Sequence, residues 1–100
     1  QEVSKVVGKV SIMCHDVFGV TIEQLINPKT KKDEKIKIFM MMKLRDEYQI
    51  TEPEITKMFQ RSKYVVTSAI SRIAKKIAQT NNEYSDMDYE WNYYTTKKEI

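Results

Sequence analysis

The sequence predicts an all-α fold, a bundle of five or six helices that contains a helix-turn-helix. Apolar residues recur at positions i, i+3, i+4 and i+7 along most of the chain, as they do on one face of a helix. Thr21 and Thr51 each open a helix-capping motif. Two glycines and two prolines among 100 residues are too few for the turns of an all-β chain. A hydrophobic content of 41% and a charged content of 31% are typical of a single globular domain.

Apolar spacing and caps define the first two predicted helices. The first helix is predicted over about Val3 to Phe18, and Gly19 stands where a left-handed C-cap favours glycine. Thr21 opens a short second helix, because the motif Thr-x-x-Gln is a capping box. Asn27-Pro28 ends this helix, since the residue before proline avoids the α region.

A basic connector, Lys29 to Lys32, leads into a third helix, which is predicted from about Asp33 to Tyr48. Its apolar face includes the run Met40-Met41-Met42. We interpret this run as core filling rather than as a metal site, because methionine adapts to irregular gaps in protein cores.

The segment from about residue 51 to residue 79 has the pattern of a helix-turn-helix. Thr51-Glu52-Pro53-Glu54 is a second capping box, with proline in the first turn, where its missing N–H costs nothing. A tight turn is predicted at Gln60-Arg61. Ser62 then caps a longer, basic helix over about Lys63 to Gln79. In this motif the N-terminal residues of the second helix contact base edges in the major groove.

The last part of the chain, residues 83–100, is predicted to be an acidic-aromatic helix and tail that follow a helical domain of residues 1–82. Asn81-Asn82 breaks the preceding helix, a last helix is predicted over about Ser85 to Tyr94, and Thr95 to Ile100 are expected to fray. Three roles remain open for this segment. These roles are docking on the helical core, binding of a protein partner, and competition with DNA for the basic surface.

Charge is distributed unevenly along the chain. Residues 55–82 include six basic and no acidic side chains, and residues 29–45 include seven basic side chains against two acidic ones. Residues 83–94 reverse this pattern, with four acidic and no basic side chains. The basic middle indicates an anionic partner such as DNA, and the alternative is an ordinary solvated helix surface.

Several classes of function are not expected from this sequence. It has no glycine-rich phosphate loop and no nucleophile–base pair, so we expect neither a nucleotide site nor an enzyme. Cys14-His15 has no further cysteine or histidine to complete a metal site, and we expect no metal and no cofactor. A single cysteine excludes an internal disulfide and favours a reducing, cytoplasmic compartment. No apolar run approaches the length of a membrane span.

The candidate site residues are those that a helix-turn-helix would present to double-stranded DNA. Base reading is assigned to the start of the second helix, at Lys63, Tyr64, Val65, Thr67 and Ser68. Phosphate binding is assigned to basic residues of the connector, of the start of the third helix and of the motif, at Lys29, Lys31, Lys32, Lys35, Lys57, Arg61 and Arg72. The alternative function is a helical protein-interaction domain that uses the aromatic residues of the C-terminal segment.

Four segments of the chain carry a resemblance to a known family. The first, DVFGVTIEQLINP, covers the end of the first helix and the short second helix. The second, KTKKDEKIKIFMMMKLRDEY, covers the basic loop and the long third helix. The other two are the helices of the motif, TEPEITKMFQ and RSKYVVTSAISRI. From about Val10 to Ile77 the chain resembles the C-terminal DNA-binding domain of the bacterial replication initiator DnaA, matching its recognition helix at Arg61, Val66, Ala69 and Ile73.

This resemblance implies a Trp-repressor-like helical fold and sequence-specific binding of double-stranded DNA at the nucleoid. The process would be replication initiation or its regulation, or the equivalent step on a mobile element. The family's Asp-His-Ser/Thr-Thr signature is replaced here by Ser62-Lys63-Tyr64-Val65. The resemblance therefore implies a diverged relative, without the initiator's ATPase domain, whose DNA target differs. Lys63 favours a guanine and Val65 favours a thymine methyl group.

Overall fold

Six helices make up the part of the chain that the structure, a computed structural model, describes, namely residues 3–79 and 82–98. This part contains no β-strand, so the all-α prediction is confirmed. The helices are α1 (Val3–Phe18), α2 (Ile22–Ile26), α3 (Lys31–Asp46), α4 (Glu52–Phe59), α5 (Lys63–Ile77) and α6 (Glu83–Lys98).

The predicted caps start the helices as expected. The Thr21 hydroxyl accepts the Gln24 N–H at 3.2 Å, and the Gln24 side chain accepts the Thr21 N–H at 2.8 Å, which completes the capping box of α2. Thr51 accepts the Glu54 N–H at 3.4 Å at the start of α4, but the reciprocal bond from the Thr51 N–H to the Glu54 side chain is absent among the described residues, so this predicted capping box is only half formed. The third helix begins at Lys31 rather than at Asp33, because Thr30 caps it through a 3.0 Å hydrogen bond from the Asp33 N–H.

Helix α3 lies at the centre of the bundle and packs against α2, α4, α5 and α6. Most of its side chains between Ile36 and Leu44 are buried, and they are apolar except for Lys37 and Lys43, whose ammonium groups are held in ion pairs. Met40, Met41 and Met42 are 0, 2 and 6% exposed, so the methionine run does fill the core.

Helices α4 and α5 bury the apolar faces that their spacing predicts. Ile55 and Phe59 of α4 are no more than 1% exposed. The buried residues of α5 follow a helical period along one side of the helix: they are Val66, Ala69, Ile70 and Ile73. Residues 60–62 join the two helices. That this pair acts as a DNA-binding helix-turn-helix stays a prediction.

Helix α6 is longer than the sequence predicts and packs on α1, α3 and α5. Residues 95–98 are helical, so the expectation that they fray is wrong; Asn81, Glu99 and Ile100 lie outside the described residues. Trp91 is fully buried, and its ring stacks on Phe18 at a centroid distance of 6.4 Å. Of the three roles considered for the C-terminal segment, docking on the core is the one the structure shows.

Candidate nucleic-acid interface

The outward face of α5 forms an exposed surface that combines apolar, hydroxyl and basic side chains. Tyr64 is 82% exposed and Val65 is 47% exposed, on the side of the helix opposite the buried Val66, Ile70 and Ile73. A shallow groove of about 570 Å³ runs along this face. It is lined by Tyr64, Val65, Thr67, Ser68, Ser71 and Arg72. Four of the five residues predicted to read bases are therefore brought together; the side chain of the fifth, Lys63, lies outside the described part of the structure.

The connection between α4 and α5 sets the direction in which α5 starts. Gln60 adopts a left-handed conformation with φ 56°, a position that usually favours glycine. The N–H groups of Gln60 and Arg61 donate to carbonyl oxygens of the last turn of α4, those of Lys57 and Thr56. Ser62 then accepts the Val65 N–H at 3.2 Å and caps α5. The turn thus closes α4 and opens α5 within three residues.

The positive end of the α5 helix dipole is not neutralised by an acidic side chain in its own first turn. That turn carries no acidic residue, whereas the first turns of α3 and α4 carry two each. Free N–H groups and the helix dipole make such an end favourable for an anion such as phosphate. Helix α5 therefore differs electrostatically from the helix that precedes it.

Most cations predicted to bind phosphate are exposed and are outside the ion pairs found among the described residues. They are Lys29, Lys31 and Lys32 of the connector, Lys57 of α4, Arg61 of the turn and Arg72 of α5. Lys35 differs, because its ammonium group pairs with Glu83 at 2.7 Å. The pair is partly exposed, with side chains 38% and 48% accessible. Lys35 is therefore less available to a phosphate than the other six cations.

Three further basic residues of α3 are held in ion pairs with carboxylates of the same chain. Lys37 pairs with Glu34 at 3.1 Å, and Lys43 pairs with Glu47 at 2.7 Å. Arg45 pairs with Asp46 at 2.8 Å. The i,i+3 and i,i+4 spacing of the first two pairs is visible in the sequence and is the signal that predicts them. Fewer basic side chains are therefore available to an anionic partner than the sequence alone suggests.

The connector lies near the end of α5 that is opposite the turn. Ile38, midway along α3, and Arg72 and Lys76, late in α5, line a small cavity of about 120 Å³ together with other side chains. At the other end of α3, Arg45 contacts Glu52, which in turn contacts Thr67 early in α5. Helices α3 and α5 are therefore antiparallel, with the exposed Arg61 before the start of α5 and the exposed Arg72 towards its far end.

A link between α4 and α5 was not predicted from the sequence. The Thr67 hydroxyl donates to Oε1 of Glu52 at 2.6 Å, and Arg45 Nη1 donates to Oε2 of the same carboxylate at 3.3 Å. Residues 45, 52 and 67 lie on three different helices, α3, α4 and α5, so no pattern within one helix would have revealed this contact.

No group of three or more metal-ligating side chains occurs in residues 3–79 and 82–98. Cys14 is fully buried, and burial raises the pKa of its thiol to about 12, so it is a core residue rather than a nucleophile. Within the same residues, no helix has the length and apolar character of a membrane span.

Comparison of the chain with models of protein families, with curated proteins and with solved structures found no match.

Proposed function

We propose that this domain binds double-stranded DNA sequence-specifically and without catalysis, with α5 in the major groove. One observation carries the proposal. The outward face of α5 is a shallow groove whose lining carries one charged side chain, the cation Arg72, and the exposed Arg61 lies in the turn just before the helix. A major groove about 12 Å wide admits an α-helix, and phosphates on both sides of it would meet these cations. The resemblance noted in the sequence extends the proposal to replication initiation or its regulation.

Two kinds of contact have different roles in this proposal. Lys29, Lys31, Lys32, Lys57 and Arg61 bind phosphates and set the position of the domain on the duplex. The groove residues of α5 contact base edges: the Val65 methyl groups suit a thymine C5-methyl, and hydroxyl groups such as that of Ser68 suit polar base atoms. Arg72 lies at the far end of the groove, where its guanidinium group can donate to guanine or to phosphate.

Binding measured by fluorescence anisotropy tests this assignment with two charge-matched variants. Arg61→Gln/Arg72→Gln removes two cations from the proposed interface. Lys5→Gln/Lys9→Gln removes two exposed cations from α1, which packs on α2 and α6. We expect the first variant to weaken duplex binding more than tenfold and the second to change it less than twofold. Equal losses in the two variants would show that binding depends on net charge and not on α5.

A second candidate function, protein interaction through α6, is favoured by two exposed tyrosines. Tyr89 and Tyr93 are 72% and 58% exposed, and their rings stack at a centroid distance of 6.5 Å. The opposite side of α6, with Tyr84, Met87 and Trp91, supplies the burial that anchors the helix. The fold therefore does not require the outer pair, and exposed aromatic surface is frequent in protein interfaces.

Proximity labelling in the native host tests this second candidate. If the outer tyrosines bind a protein, Tyr89→Ser/Tyr93→Ser removes that protein from the labelled set while stability and DNA affinity stay unchanged. An identical labelled set for the wild type and the double variant contradicts a protein-binding role for this pair.

A further inference from the structure

The contact between Thr67 and Glu52 restricts what the α5 groove can offer to a base. A threonine hydroxyl has one proton, and Thr67 uses it in the 2.6 Å hydrogen bond to Glu52. The remaining lone pairs of Thr67 only accept hydrogen bonds. An ionised carboxylate likewise only accepts. Thr67 and Glu52 therefore form a patch of acceptors at the edge of the groove, whose lining carries one charged side chain, the donor Arg72.

Arg45 holds the Glu52 carboxylate in this arrangement. Its guanidinium group donates to Oε2 of Glu52 at 3.3 Å and to Asp46 at 2.8 Å, while Thr67 occupies Oε1. The cation also balances the charge of Glu52, so that this carboxylate repels nearby phosphates less. Arg45 is thus a positioning residue, because it acts on the groove only through Glu52.

We propose that Glu52 and Thr67 select a base pair that presents an exocyclic amino group, and cytosine above all, at one position of the target. The inference rests on the proposed binding of α5 in the major groove. There, cytosine presents its N4 amino group and adenine its N6 amino group, whereas guanine and thymine present acceptors to the same space. Adenine also presents the N7 acceptor beside its amino group, which a carboxylate disfavours. Cytosine is therefore the best partner.

Selection from a random duplex library tests the inference with the wild type and isosteric variants. Thr67→Val keeps the shape of the side chain and removes its hydroxyl. Glu52→Gln keeps the size and adds a donor. We expect the wild type to select cytosine at one position, and each variant to lose this preference there by roughly tenfold, the discrimination expected of one good base contact. Arg45→Met should weaken the same preference without creating a new one.

Two controls separate this effect from a change in folding. Thr56→Val makes the same chemical change on α4, at a hydroxyl that is buried away from the groove, and should leave the selected sequence unaltered. Thr67→Ser keeps a hydroxyl and should keep the cytosine preference. A Thr67→Val variant that fails to fold would therefore still leave Glu52→Gln and Thr67→Ser as tests.

The possible outcomes distinguish this inference from the proposed function. A wild-type protein that enriches no sequence contradicts both. A wild-type protein that enriches a sequence unaffected by Thr67→Val and Glu52→Gln contradicts the inference alone. A preference for guanine or thymine at the position that these variants alter contradicts the assignment of acceptors.

Discussion

The indole N–H of Trp91 donates a hydrogen bond to Oε1 of Glu47 at 3.1 Å and so joins the C-terminal helix to the end of the central one. The other oxygen of Glu47 accepts from Lys43 at 2.7 Å, and Lys43 also pairs with Asp88 at 2.6 Å. Both apolar packing and polar contacts therefore hold α6 against α3. The acidic-aromatic segment contributes to the core rather than trailing behind it.

Trp91 should be essential for stability, whereas its neighbour Tyr89 should not. Trp91→Ala removes a fully buried ring and leaves a cavity, which typically costs about 3–5 kcal/mol. Tyr89→Ala, on the exposed face of the same helix, should change the free energy of unfolding by less than about 0.5 kcal/mol. Urea denaturation measures both. Similar losses in the two variants would contradict the burial pattern of α6.

Lys43 should stabilise the fold from neutral pH up to about pH 10, and this stabilisation should be lost at higher pH. Burial alone would lower the pKa of Lys43, but hydrogen bonds with Asp88 and Glu47 outweigh burial, so the net pKa is raised. A raised pKa in the folded state means a contribution that is complete below the unfolded value of about 10.4 and is lost as the pH rises further. We expect Lys43→Met to be less stable than wild type by roughly 1–3 kcal/mol at pH 7.

Denaturation curves across the alkaline range measure this dependence. The difference between wild type and Lys43→Met should be constant from neutral pH to about pH 10 and should shrink above it. Lys9→Met, at an exposed lysine of α1, serves as the control and should show no such difference. A difference that persists unchanged well above the unfolded pKa would contradict the ion-pair account of Lys43.

Thr56→Val should stabilise the protein. The Thr56 hydroxyl is buried on α4 without a hydrogen-bond partner among the described residues. An unsatisfied buried hydroxyl costs about 1–3 kcal/mol, and valine has nearly the same shape. We expect an increase in the free energy of unfolding of up to about 1 kcal/mol, because valine and threonine have similar helix propensities and valine buries no unsatisfied hydroxyl. A clear loss of stability would indicate that the hydroxyl does have a partner.

The connector should contribute to DNA affinity independently of sequence. Replacing Lys29, Lys31 and Lys32 with alanine removes three exposed cations that form no ion pair with the described residues. Each lost phosphate contact lowers the slope of log affinity against log salt by about one. The triple variant should therefore bind all duplexes more weakly, with a slope smaller by about three. An unchanged slope would place the connector away from the phosphates.

Local signals in the sequence predicted most of the fold. The threonine and serine caps act within four residues, so the starts of α2, α4 and α5 follow from short motifs. The extent of α6 was underestimated because its aromatic residues lie on both sides of the helix. Tyr84 and Trp91 are buried, whereas Tyr89 and Tyr93 are exposed, and composition alone does not distinguish the two pairs.

The candidate site was predictable where it depends on one helix. Helical period alone places Tyr64, Thr67 and Ser68 on the outward side of α5. The partner of Lys35 is Glu83, 48 positions further along the chain, and Glu52 meets Thr67 across the turn. Contacts of this kind arise from how the helices pack. They were therefore beyond what periodicity could show.

The location of DNA on the protein surface tests the central claim most directly. Backbone amide shifts of the isotope-labelled protein are measured as a short mixed-sequence duplex is added at about 50 mM salt, where phosphate contacts are strong. The account predicts the largest changes at residues 60–72 and 29–35, with α1 and the outer tyrosines of α6 unaffected. Shifts that concentrate on α6, or no shifts at all, would contradict the claim that the outward face of α5 binds DNA.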